Sequence, residues 1–112
     1  MTRKEFIKVL EEKEYSYEIE GNKVVVTNLY TIYLDSLTSL PPDVVFKNGG
    51  YVNLKSLTSI PPGVVFKNGE VVILDSLIGR IGGEFDWWNS NIEGINNKRL
   101  LNKMIKDGVF ER

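Results

Sequence analysis

Repetition constrains this chain more than any other feature. Residues 34–77 read LDSLTSLPPDVVFKNGGYVN, then LKSLTSIPPGVVFKNGEVVI, then LDSL. A unit of about 20 residues is written twice and begun a third time, with about 14 positions identical between the full copies. The period starts earlier than its obvious copies, because VVVTNLYTIYLDSL (24–37) aligns with VVFKNGGYVNLKSL (44–57) and VVFKNGEVVILDSL (64–77). A unit this short cannot bury its apolar face alone and must cover it with its neighbour. The spacing therefore predicts an α+β single domain over residues 1–112. In it, residues 24–78 form a short β-solenoid of about three rungs. Residues 1–23 (helix and hairpin) and 79–112 (aromatic segment and helix) cap the two ends.

Side chains alternate along a strand, which separates inside from outside in each copy. Val52 and Leu54 point inward, and Tyr51, Asn53 and Lys55 outward. The predicted core ladders are Ile32/Val52/Val72, Leu34/Leu54/Leu74, Leu37/Leu57/Leu77, Leu40/Ile60, Val24/Val44/Val64 and Val26/Phe46/Phe66. Phe66 is expected between Phe46 and the C-terminal cap. Pro61-Pro62 ends any strand, since neither residue can donate to a ladder. A rival arrangement has the same period: Lys-Asn-Gly between VVF and YVNL is also a hairpin signal, and a meander of hairpins would repeat equally well. The stack is preferred because even the Leu-Thr-Ser-Leu-Pro link repeats its apolar positions, which a solvated link would not need.

The flanks read simply. Thr2 and Glu5 form a capping box ahead of a helix over Thr2–Lys13, with Phe6, Ile7, Val9 and Leu10 as its apolar face. Tyr15–Thr27 predicts two short strands around Gly21-Asn22. The period breaks after Leu77, and Phe85, Trp87 and Trp88 are expected to hide the last rung. Asn96 or Asn97 should cap a final helix that ends near Asp107, with Gly108 as terminator. Val109-Phe110 is expected to fold back onto the cap.

Leu-x-Leu-x-Ser-Leu-Thr-Ser-Leu-Pro-Pro resembles the short leucine-rich repeats of bacteria. It is similar also to the leucine-rich-like repeats of bacteriophage and bacterial-mobile-element proteins, over residues 24–78. Serines 36, 56 and 76 stand where the usual consensus has asparagine. The resemblance implies a leucine-rich-like β-solenoid that binds proteins, with a host protein as the partner such a phage protein would bind or inhibit.

The chain offers little for catalysis. Histidine and cysteine are both absent, which removes the usual general base, thiolate zinc ligands and thiol nucleophile. Asp35 and Asp75 would flank Lys55 at roughly 9–10 Å from each other, near the separation in inverting glycosidases. A lysine between them favours two ionised, paired carboxylates instead. We expect no enzyme, no cofactor and no metal. A net charge of −1 gives no global field for nucleic acid or anionic lipid. No apolar run approaches a membrane span, the charged N-terminus does not read as a signal peptide, and a cytoplasmic location is expected.

The outward positions carry the functional expectation. Thr31, Tyr51 and Val71 would form one outer ladder, Tyr33, Asn53 and Ile73 a second, and Asp35, Lys55 and Asp75 a third. Two tyrosines with exposed aliphatic neighbours are unusual on a solvated face and favoured in contact patches. We therefore read Tyr33, Tyr51, Asn53, Lys55 and Ile73 as partner-binding, unless a terminal helix covers them. Three alternatives differ in chemistry. Arg99, Lys103 and Lys106, a basic stripe on the last helix, would take nucleic acid or phosphate. Asp35 and Asp75 with the aromatics would take a glycan. An open solenoid end would take a second copy.

Overall fold

The structure is a computed structural model that describes residues 1–67, 71–81, 95 and 97–111. Helix α1 spans Arg3–Glu12 and α2 spans Lys98–Lys106. Between them lie β1 (Tyr17–Glu20), β2 (Lys23–Val26), β3 (Ile32–Tyr33), β4 (Val44–Phe46), β5 (Val52–Asn53), β6 (Val65–Phe66), β7 (Val72–Leu74) and β8 (Gly79–Ile81). They form two four-stranded sheets, in the orders β1-β2-β4-β6 and β3-β5-β7-β8.

This corrects the expected solenoid. Equivalent positions of the copies do pair in parallel and in register, Val24 with Val44, Phe46 with Phe66, and Val52 with both Ile32 and Val72. These runs are only two or three residues long, and each sheet is mixed. The chain reverses at both margins, so β1 pairs antiparallel with β2, and β8 antiparallel with β7. Reversals at Gly21-Asn22 and after Leu74 turn the outermost strands back on themselves. The result is a pair of small mixed sheets in an α+β fold. Strand β8 went unforeseen, since Gly79-Arg80-Ile81 carries too few apolar residues to announce itself. The hairpin meander fails as well, because β4 and β5 belong to different sheets.

The core lies between the sheets. Val24, Val26, Val44, Phe46, Val64 and Phe66 meet Ile32, Leu34, Val52, Leu54, Val72 and Leu74 in one buried cluster. Phe46 and Phe66 stack with ring centroids 5.1 Å apart, and Phe66 and Phe110 at 5.6 Å. Phe110 reaches this column because Val109–Glu111 lies along β6: the Phe66 amide donates to the Val109 carbonyl at 2.6 Å, and the Glu111 amide to the Phe66 carbonyl at 2.9 Å. The chain after α2 thus extends a sheet. Phe85, Trp87 and Trp88, expected to do the capping, lie outside the described residues.

Both helices contribute to the same cluster, α1 through Phe6 and Leu10 and α2 through Leu101 and Met104. The Thr2–Glu5 capping box forms in both directions, each bond 3.1 Å. Asn97 caps α2 by accepting from the Leu100 amide at 3.1 Å. Both helices end in the same way. The Tyr15 amide returns to the Leu10 carbonyl and the Val109 amide to the Met104 carbonyl, around left-handed Glu14 and Gly108.

Candidate functional site

The prominent surface feature is built by the repeat itself. At the turn between the sheets the first copy carries Leu29-Tyr30 where the second carries Gly49-Gly50. The second turn lies directly on the first: the Gly49 amide donates to the Asn28 carbonyl at 3.1 Å. A Cβ on Gly49 would sit 2.4 Å from the Leu29 carbonyl oxygen, and one on Gly50 2.5 Å from the Thr31 nitrogen. Glycine is needed there because backbone meets backbone. Buried Asn48 braces this turn by donating from Nδ2 to the carbonyls of Gly50 at 2.7 Å and Tyr51 at 3.3 Å.

The bare glycine pair leaves a recess. Leu29, Tyr30, Tyr33 and Tyr51 surround it, and Gly49-Gly50 and Thr31 complete a shallow cleft of about 470 Å³. The four large side chains are 74%, 76%, 55% and 45% exposed, respectively. Neither helix buries them, so the covered-face alternative does not hold at Tyr33 or Tyr51. None of the described lining residues is charged. The cleft abuts the edge strand β3, and that edge is partly closed: the Tyr33 amide donates to Tyr15 Oη at 2.9 Å.

Of the five residues expected to bind a partner, Tyr33 and Tyr51 come together here. Asn53 is half-buried and accepts from the Lys55 amide at 3.2 Å, which turns it onto its own chain. Lys55 Nζ lies 4.0 Å from Asp35 Oδ2 with both side chains exposed, a contact worth little in water. Ile73 is half-buried and pairs with Arg80 across β7 and β8. Arg80 also meets Asp75 at 3.4 Å, so Asp75 has a cation other than Lys55. Leu29 and Tyr30 were missed in the sequence. Their signal was local: large residues stand in the one copy where the other two carry Gly49-Gly50 and Gly69-Glu70.

Arg99, Lys103 and Lys106 are exposed on α2. Lys103 reaches a second cavity of about 570 Å³, where Leu100 and Met104 face Ile60-Pro61-Pro62 and Asp107 adds an acid. The basic stripe and the tyrosine cleft thus have no lining residue in common. Among the described residues two side chains are held away from their ordinary pKa values, and both lie elsewhere. The Thr2 amide and then its hydroxyl lower the Glu5 carboxyl, and a 2.6 Å bond to Glu11 raises the Tyr17 phenol. Among the described residues no group of His, Cys, Asp or Glu could hold a metal ion. Among them, too, no helix is long and apolar enough to cross a membrane. What the cleft offers chemically is apolar area, aromatic faces and hydroxyl groups. No protein-family model, curated protein or solved structure matches the chain.

Proposed function

We propose that this chain is a small protein-binding module whose contact surface centres on Leu29, Tyr30, Tyr33 and Tyr51. The observation that carries this reading is their joint exposure around one cleft whose described lining carries no charge. Scattered apolar residues on a surface need no explanation, but a contiguous group does. Tyrosine contributes large contact area with few rotatable bonds and keeps a hydroxyl for hydrogen bonding, which is why it recurs at interface centres. The resemblance of residues 24–78 to bacterial and bacteriophage leucine-rich-like repeats points the same way, towards a host protein as partner.

The test is affinity capture from a bacterial lysate with the wild type and a Tyr30→Ala/Tyr51→Ala variant. Both substitutions lie outside the core, so melting should be unchanged. The variant should lose the protein that the wild type retains. Retention by both would move the contact away from the cleft, and an Arg99→Glu/Lys103→Glu variant would then examine α2.

A further inference from the structure

We infer that the cleft recognises a proline-rich segment in the extended, left-handed polyproline II conformation. This rests on the protein-binding reading above and names the chemistry of its occupant.

Three observations select that ligand. The described lining carries no charge, which disfavours phosphorylated peptides and nucleic acid, whose binding needs cations. The adjoining sheet edge is a poor template for strand addition: β3 has two residues, and the Tyr33 amide is already bonded to Tyr15 Oη. Among the described lining residues there is also no carboxylate, amide or guanidinium side chain with which to read the hydroxyl pattern of a sugar. Aromatic faces and phenolic hydroxyls remain.

A polyproline II segment fits both. It makes no internal hydrogen bonds, so its carbonyls are free to accept from tyrosine hydroxyls, and its pyrrolidine rings are compact apolar bodies suited to aromatic faces. Its order is largely prepaid, so a shallow cleft can hold it without a large ordering cost. Tyr33 in β3 pairs with Asn53 of β5, and Tyr51 immediately precedes β5, a diagonal placement with a separation on the order of 7–8 Å. One turn of polyproline II advances about 9 Å, within reach of two long side chains so placed. Gly49 and Gly50 line the cleft with backbone alone.

The experiment is fluorescence anisotropy with labelled decaproline, beside a Gly-Ser peptide of equal length and a chitin oligosaccharide. Decaproline should bind saturably and the other two should not. Tyr51→Ala and Tyr33→Ala should each weaken binding about tenfold or more, while Arg99→Glu should leave it unchanged. Tyr51→Phe, which keeps the ring, should retain most of the affinity that Tyr51→Ala loses. Equal binding of the Gly-Ser peptide, preference for the oligosaccharide, or tyrosine-dependent self-association without peptide binding would overturn the inference. Competition separates it from the broader reading. A captured protein that depends on Tyr30 and Tyr51 but resists displacement by decaproline refutes the proline-rich ligand and leaves the binding surface standing. Capture that ignores both tyrosines refutes the surface itself.

Discussion

Asp43 and Gly63 occupy the same place in successive copies and share a left-handed backbone, with φ of 61° and 80°. The repeat cannot be perfect there. A Cβ on Gly63 would fall 2.0 Å from Asp43 Oδ1, and Asp43 is already engaged through Asn22 Nδ2 at 3.2 Å. One copy holds the side chain and the next must go without. Gly63→Asp, which makes the copies more alike, should therefore destabilise by about 1–3 kcal/mol through strain and like-charge contact. Urea unfolding measures this, and a neutral result would mean that the Asp43 side chain swings clear. The difference between the copies is visible in the sequence, but its cause is not, because no residue pattern says which stacked turns touch. The same limit hid Leu29 and Tyr30. Alternation in a strand predicts the outward direction of Tyr33 and Tyr51, whereas turn residues have no such rule.

At the scale of elements, local chemistry was enough. The caps of α1 and α2 were readable because Thr2, Glu5, Asn97 and Gly108 act within a few residues of where they stand. The Thr2–Glu5 pair also has a pH signature. Hydrogen bonding to Thr2 lowers the Glu5 carboxyl below its ordinary 4.5 in the folded state. Its contribution is then complete above the unfolded value and is lost as pH falls through the lowered one. Wild type should exceed Glu5→Gln in stability near neutrality, and the gap should shrink on acidification below about pH 4.5. Parallel melts of the two proteins across that range supply the check, and a gap that stays constant would mean that Glu5 acts through its shape alone. Strand β8 lay beyond such local reasoning. Its pairing with β7 depends on where the chain turns after Leu74, and glycine and arginine do not favour a strand by themselves.

For the whole molecule, the repeat announced in-register parallel pairing and the inner ladders, but not how the sheets end. A radius of gyration of 13.0 Å is that of one compact unit of this length, and the aromatic column runs through it. Phe66 is the middle ring, fully buried between Phe46 and Phe110. Phe66→Ala should cost about 3–5 kcal/mol, a large part of the stability available to a domain this small. A loss below about 1 kcal/mol in denaturant unfolding would show that the column closes over the gap. The two amides at this point of the chain also carry a clock. The Lys67 amide bonds to the Phe46 carbonyl at 2.7 Å, and the Phe66 amide to the Val109 carbonyl at 2.6 Å. The first bond closes a loop of about 20 residues and the second one of about 40, which also contains α2, so the second is expected to form later. During refolding, pulsed deuterium labelling should find Lys67 shielded while Phe66 still exchanges, so that two adjacent residues record separate moments in the assembly of one sheet.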